Sequence, residues 1–140
     1  MKVTISPTDD LTTCLDLRRI VFIDEQGVSE EDELDAYDAT ATHLLAMDGD
    51  RPVGTARIVI KGRVGKIGRV CVLKSHRGAG LGAGLIMAAL DILANDPGIT
   101  TARLGAQVQA LEFYRKLGFA EYGPVYDDAG IPHKDMERAV

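Results

Sequence analysis

The stretch Arg77-Gly78-Ala79-Gly80-Leu81-Gly82 decides the fold, because it joins a predicted strand (residues 64–73) to a strongly apolar predicted helix (residues 80–95). Glycines permit positive φ and a close backbone approach to a ligand, and the first turn of a helix presents unpaired N–H groups. Lys74 and His76 add basic side chains to that of Arg77. The stretch therefore indicates a pyrophosphate site, with a plain strand-to-helix turn as the alternative.

The elements on either side of this turn follow one another without a linker or a repeat. The sequence predicts three helices, at residues 10–22, 80–95 and 109–117, and an acidic loop at residues 28–40. It also predicts about seven strands, of which the first ends before Pro7: residues 2–5, 42–47, 52–60, 64–73, 101–106, 119–126 and 133–139. We therefore expect a single domain, residues 1–140, of the α/β (α+β) class. Its sheet should be mixed and mostly antiparallel, with helices on both faces.

The charged residues are segregated by sign along the chain. Residues 20–50 contain ten acidic residues and no Lys or Arg, whereas residues 51–90 contain eight basic residues and no Asp or Glu. A basic segment that ends in a glycine-rich turn favours an anionic ligand, and the acidic segment favours cationic amines. We expect residues 24–38 to form a mobile flap on the acceptor side. The net charge of −5 argues against nucleic acid as a partner.

The sequence also limits the compartment and the metal chemistry. It contains no apolar run long enough to span a bilayer and no apolar N-terminal signal, which predicts a cytoplasmic protein with no membrane partner. Cys14 and Cys71 lack the spacing of metal ligands, so we expect free thiols and no metal site. Cys71, on a predicted central strand, should be buried and unreactive.

A second phosphate-binding pattern fits the same turn. Gly78, Gly80 and Ala83 match the dinucleotide pattern G-x-G-x-x-G/A. That pattern opens a parallel βαβ unit, whereas this turn follows hairpin-linked strands and precedes only about one further α/β unit. Dinucleotide binding is therefore disfavoured.

Two motifs at their usual separation resemble the GCN5-related N-acetyltransferase (GNAT) superfamily. The signature Gln/Arg-x-x-Gly-x-Gly/Ala is matched by residues 77–82, and the hallmark A-x-x-F-Y-x-x-x-G-F by residues 110–119. The order of elements agrees along the whole chain. Residues 21–26, 104–107 and 130–133 resemble the small bacterial branch of ElaA-like and YjcF-like acetyltransferases.

The resemblance implies an N-acetyltransferase that moves an acetyl group from acetyl-CoA directly to a primary amine of a small molecule. Some members of the branch suggest an amino sugar phosphate as acceptor, and a polyamine-like amine is the other acceptor considered. The chain could also form a homodimer. A noncatalytic acyl-CoA-binding or sensory module is the alternative from another class. In the family, the strand before the turn splays from its parallel neighbour to admit the pantetheine arm. The implied cofactor contacts are Val70, Cys71, Val72, Arg77, Gly78, Ala79, Gly80, Leu81 and Gly82.

The resemblance also places Tyr114 beside the CoA sulfur, where it would act as general acid. The base remains open, because residues 66–69, where a related branch has a glutamate, contain no carboxylate. Glu25 and a water chain are candidates for the base, and His43 and His133 are alternatives. Arg69 could bind a carboxylate or phosphate of the acceptor; the alternative is a solvated cation. Gln107 could orient the acceptor or polarise the thioester carbonyl; the alternative is that it caps a helix.

Overall fold

The computed structural model of the chain describes residues 2–140. Within them, seven strands form one sheet: β1 (Val3–Thr8), β2 (Thr42–Asp48), β3 (Arg51–Lys61), β4 (Val64–Val72), β5 (Thr101–Gln107), β6 (Ala120–Asp128) and β7 (Ile131–Ala139). The α-helices of this part of the chain are α1 (Leu11–Arg18), α2 (Glu30–Glu33), α3 (Leu81–Ala94) and α4 (Leu111–Lys116). A π-helix (Arg19–Glu25) continues α1, and three short 3-10 turns lie at Ala36–Ala39, Lys74–His76 and Val108–Ala110.

The sheet has the order β1-β2-β3-β4-β5-β7-β6. Its neighbouring strands are antiparallel except β4 and β5, which are parallel and are connected through α3. The predicted mixed and mostly antiparallel sheet is confirmed.

Helices cover both faces of the sheet, as predicted. On one face, α3 buries Leu85, Ile86 and Leu93 against the strands, in a core cluster that Phe119 joins from the start of β6. On the other face, α1 and the π-helix bury a smaller cluster that includes Cys14, Leu17, Val21, Leu45 and Cys71. The second face is therefore covered only over part of its width.

Two predicted element boundaries were wrong. Pro7 does not end the first strand, because β1 pairs with β2 as far as Thr8 and lies at the sheet edge, where a proline is tolerated. The first helix does not continue as an α-helix to Phe22, since the chain widens into a π-helix at Arg19 and turns at Gly27, which has a φ of +72°.

Within the predicted acidic loop lies the short helix α2, whose first turn is capped by the Ser29 side chain. Across residues 2–140 no helix is long and apolar enough to cross a membrane.

Candidate active site

The glycine turn leads directly into the N-terminus of α3. Gly78 and Gly80 have φ values of +85° and +79°, and a Cβ added to either would meet no atom within 4 Å. The α-helical hydrogen bonds begin with Gly84 N donating to Gly80 O at 3.0 Å, so the N–H groups of the first turn are left for a ligand. The turn therefore fits an anionic group, because open space, positive φ and unpaired donors coincide there.

A splay between β4 and β5 lies beside this turn. The two strands pair at Val64–Thr101, Gly65–Ala102 and Lys66–Arg103, and their pairing does not continue beyond these residues. The later half of β4 therefore presents unpaired backbone groups towards β5. This is the arrangement that the sequence resemblance predicted for the strand that includes Val70-Cys71-Val72.

A β-bulge lies in the part of β4 that no longer pairs with β5, and it was not predicted. Thr55 pairs with Cys71 but Arg57 pairs with Gly68, so β4 contains one extra residue, and Arg69 has a φ of +50°. In a regular strand Ile67 and Cys71 would lie on the same face, since side chains alternate. The bulge puts them on opposite faces, Ile67 beneath α3 and Cys71 beneath α1.

Burial determines how Cys71 can contribute to the site. The side chain is 4% exposed, and burial raises the pKa of its thiol to about 12. The prediction of a buried, unreactive thiol is therefore confirmed, and both cysteines are free. Any contact of Cys71 with a cofactor must use its backbone, while the Val70 side chain lines a cavity that begins at the splay.

That cavity has a volume of about 480 Å³ and extends from the splay across the partly covered face of the sheet to the β6–β7 hairpin. Its size is typical of small-molecule sites. Two glycines keep its floor open: nothing lies within 4 Å of a Cβ added to Gly68, and a Cβ on Gly105 would overlap the Tyr126 hydroxyl. The side chains that matter for the chemistry include Arg69, Gln107, Tyr114, Tyr126 and His133.

Tyr114 lies on α4 and reaches this cavity from the side of the splay. Its ring packs edge-to-face against Phe113 and Phe119, with centroid distances of 5.0 and 6.1 Å. Burial raises the pKa of its phenol, and the hydroxyl has no hydrogen-bond partner within residues 2–140. The side chain is therefore a neutral O–H donor that is held by its ring and free at its oxygen.

Glu25 lies on the cofactor side and not in the cavity. Its carboxylate accepts a hydrogen bond from Arg77 Nη2 at 2.8 Å, and Arg77 Nε donates to Val72 O at 3.0 Å. The hydrogen bond from Arg77 lowers the pKa of Glu25. This position disfavours the predicted role of Glu25 as a base, because a lower pKa makes a carboxylate a weaker proton acceptor.

A partly buried group of ion pairs, some of whose members line the cavity, was not predicted. We call it the arginine–carboxylate network, and its members are three arginines and three carboxylates: Arg18, Arg57, Arg69, Glu33, Asp35 and Asp38. Arg18 is 1% exposed, and its guanidinium bonds Glu33 Oε1 at 2.6 Å and the two Asp38 oxygens at 2.7 and 3.0 Å.

Arg57 completes the pairing of the carboxylates in this network. It donates to the two Asp35 oxygens at 2.7 and 2.6 Å and to Asp38 Oδ1 at 2.9 Å. The hydrogen bonds from Arg57 lower the pKa of Asp35 to about 2. The network is neutral in sum, because its three arginines match its three carboxylates.

The network changes the interpretation of Arg69 and of the acidic segment. Arg69 lines the cavity, but its guanidinium donates to Glu33 O at 3.0 and 3.2 Å and lies 3.3 Å from Asp35 Oδ2. Arg69 is therefore not a solvated cation, and its role towards the acceptor stays a prediction, since within residues 2–140 no hydrogen bond is described for its Nη1. The expected flap is wrong as well, because Glu33 and Asp38 are buried and tied to arginines.

Gln107 closes the cavity at the end of β5. Its Nε2 donates to Gln26 Oε1 at 3.1 Å, and its Oε1 accepts from Gln109 Nε2 at 2.5 Å. The side chain thus links the sheet to the segment that follows the π-helix, across the site where an acceptor would approach.

The two histidines considered as bases lie in different surroundings. His43 is buried, and its Nε2 bonds Asp38 O at 2.9 Å, which ties it to the network. His133 lines the cavity. Tyr126 also lies there, donating to Asp135 Oδ1 at 2.8 Å, and was missed because it belongs to none of the motifs. In the described residues 2–140 no group of three or more His, Cys, Asp or Glu could hold a metal ion.

Comparison with known proteins agrees with this geometry. The family model described as an acetyltransferase (GNAT) domain matches residues 21–140. The chain is 42% identical to the uncharacterised N-acetyltransferase YjcF of Bacillus subtilis over 138 residues, which are 97% of this chain and 98% of that protein.

Two solved structures have the same fold over nearly the whole chain. The crystal structure of Escherichia coli ElaA has 30% identity and a TM-score of 0.88, with 98% of this chain and 99% of that chain covered. The structure of an acyl-CoA N-acyltransferase from Pseudomonas aeruginosa has 29% identity and a TM-score of 0.86, with 99% of each chain covered. The chain therefore belongs to the GNAT family and is an acetyl-CoA-dependent acyltransferase of the ElaA/YjcF branch.

Proposed function

We propose that this acyltransferase moves an acetyl group directly onto the primary amine of a small molecule that also carries an anionic group, as an amino sugar phosphate does. The observation that carries the proposal is a cavity that begins at the splay, is reached by the free Tyr114 hydroxyl, and has Glu33 and Asp35 of its lining already paired with arginines.

The residues around the turn fit acetyl-CoA. The N–H groups at the start of α3 and the open space at Gly78 and Gly80 suit the pyrophosphate, and the unpaired half of β4 suits the amide groups of the pantetheine arm. When bound, the thioester supplies an activated acyl carbon. The proposed contacts are those expected from the sequence: Val70, Cys71, Val72 and residues 77–82.

Tyr114 is proposed as the general acid. A neutral phenol whose oxygen has no other partner can give its proton to the departing sulfur of CoA. It can regain that proton from the nitrogen of the new amide, so the tyrosine is unchanged at the end of a cycle. Gln107 is proposed to help position the acceptor, because it closes the cavity between the sheet and Gln26.

The charges of the cavity support an acceptor that is not a polycation. The carboxylates of Glu33, Asp35 and Asp38, which would attract a polyamine, are neutralised by arginines. The other charged side chains of the lining are Asp32, Lys61, Lys66 and Asp128, for which the structure describes no ion pair. An acceptor that carries a phosphate or carboxylate beside its amine can pair with both the lysines and the carboxylates, which favours it over a purely cationic polyamine.

The test is thiol release from acetyl-CoA over a panel of amines. An amino sugar phosphate should react with a higher kcat/KM than the same amino sugar without its phosphate, and both should exceed spermidine. A preference for spermidine would contradict the assigned acceptor class. Acetyl-CoA binding without thiol release for any amine would favour the noncatalytic acyl-CoA-binding module.

A further inference from the structure

The imidazole of His133 has a tautomer that is set by the backbone. Its Nδ1 lies 2.7 Å from Ile131 O. A carbonyl oxygen can only accept, so Nδ1 must carry the hydrogen and the neutral ring must have its lone pair on Nε2. Within the described chain Nε2 has no hydrogen-bond partner. His133 thus presents a lone pair that no protein group uses.

This lone pair belongs to a ring that lines the cavity near the splay. His133 on β7 is the direct partner of Gln107 on β5, so it lies one strand spacing, about 5 Å, from the strand that borders the splay. The ring stacks on Tyr126 at a centroid distance of 5.9 Å, which holds its plane. An acceptor amine that binds beside this ring in the cavity would lie within reach of Nε2, directly or through one water molecule.

Among the carboxylates of β5, β6 and β7 that share the face or the cavity of His133, only Asp128 has no partner side chain within residues 2–140. Charged or titratable side chains of β5, β6 and β7 that share the face or the cavity of this histidine are Arg103, Tyr122, Tyr126, Asp128, Asp135 and Glu137. Tyr126 donates to Asp135, and burial raises the pKa of its phenol. Arg103 pairs with Glu137 at 2.8 Å. Asp128 is exposed at the hairpin end.

We propose that His133 is the general base of the reaction. The N–H bond of the acceptor ammonium breaks, its proton forms a bond with the Nε2 lone pair, and the freed nitrogen lone pair attacks the acyl carbon. The resulting imidazolium keeps its Nδ1–H bond to Ile131 O and returns the added proton to water. This assignment rests on the proposed function and deepens it, because it supplies the base that the sequence left open.

The first test is the pH dependence of kcat/KM in the intact enzyme. The wild type should gain activity with rising pH as the base loses its proton. His133→Gln should lose about 10²-fold or more in kcat/KM, the range of general-base catalysis, and its kcat/KM should no longer rise with pH. His43→Gln is the matched control. Because His43 is buried beside the network, the kcat/KM of this variant should still rise with pH even if the variant is less stable.

Two further measurements exclude a merely structural role. Added imidazole should restore part of the activity of His133→Ala, because it can enter the space left by the ring. In the enzyme without acetyl-CoA, ¹⁵N NMR of the neutral ring should show hydrogen on Nδ1 and none on Nε2.

The possible failures are distinguishable. A wild type that releases no thiol with any amine would overturn the proposed function and this assignment together. An active His133→Gln whose kcat/KM still rises with pH, or a neutral His133 ring protonated on Nε2, would overturn only the assignment of His133.

Discussion

The proposed donor half of the site, which would hold acetyl-CoA, and the proposed acceptor half, which would hold the amine, are built from different kinds of groups. The donor half, the glycine turn and the splay, uses backbone N–H groups, positive φ values and unpaired strand edges. The acceptor half uses side chains whose partners are distant in sequence, such as Arg18 with Asp38 and Gln107 with Gln26. Backbone features follow local sequence, whereas paired side chains depend on how the segments meet in the fold.

The two halves also differ in their tolerance of substitution. A turn that offers backbone groups is disturbed only by a side chain that intrudes or by an altered φ. A buried ion pair is disturbed by the loss of either partner, since the other charge is left without compensation. The following predictions test this difference, from the largest expected effect to the smallest.

Tyr114→Phe removes the hydroxyl that we propose as the proton donor, where the two halves meet. The variant keeps the aromatic contacts with Phe113 and Phe119 and should fold and bind acetyl-CoA as the wild type does. We expect kcat to fall by about 10²–10⁴-fold when chemistry limits turnover, the range of general-acid catalysis. Unchanged single-turnover rates would show that water or another group protonates the sulfur.

Arg18→Ala tests the acceptor half through stability. Removing this guanidinium leaves Glu33 and Asp38 buried with fewer partners, so the free energy of unfolding should fall by about 3–5 kcal/mol in urea titrations. Arg19→Ala is the matched control, because the adjacent Arg19–Glu30 pair is exposed and should be worth about 0–1 kcal/mol. Equal losses for the two variants would contradict the network's structural role.

Gly80→Val tests the donor half. A side chain at φ +79° is strained and projects from the turn, so the dissociation constant for acetyl-CoA should rise by about 10-fold or more, equivalent to 1.4 kcal/mol, in calorimetric titrations. Gly62→Val has comparable strain at φ +60° in the β3–β4 turn, at the opposite end of β4. If Gly62→Val weakens binding equally, strain and not intrusion is responsible.

Asp35→Asn sharpens the comparison through acid stability. The folded-state pKa of Asp35 lies at about 2, below its ordinary value of 3.8. Its contribution to stability is therefore present above about pH 4 and is lost as the pH falls towards 2. Unfolding measured from pH 6 to pH 2 should show a shallower loss of stability in Asp35→Asn than in the wild type. Parallel curves would place the acid sensitivity elsewhere.

Much of the fold was predictable because its signals are local. Hairpin turns at Gly49 and Gly62 defined the strands between them, and the apolar spacing of residues 81–93 defined α3. The π-helix was not predictable in this way, since residues 19–25 have the same helical spacing as α1. The bulge at Arg69 also left no signal, because a positive φ at a non-glycine residue is set by the neighbouring strands.

In the candidate site, too, features that depend on local sequence were predictable and long-range contacts were not. The turn at residues 77–82 and the position of Tyr114 in the cavity were anticipated from two motifs. The contacts of Arg69 were not predicted, because its partners Glu33 and Asp35 lie more than 30 residues away. A signal for the network did exist: Arg18 follows Cys14 and Leu17 on the buried face of α1, and an arginine there requires a partner.

The sequence by itself determined the order of the elements, the glycine turn and the aromatic pair that places Tyr114, since each depends on residues close together in the chain. Only the tertiary structure decided where the charges are neutralised, which face Cys71 occupies and which histidine lines the cavity. Those properties depend on segments that meet across the sheet: α1 with the acidic segment, and β5 with β7. Pairing over such distances depends on the packing of whole elements, and local sequence does not specify it.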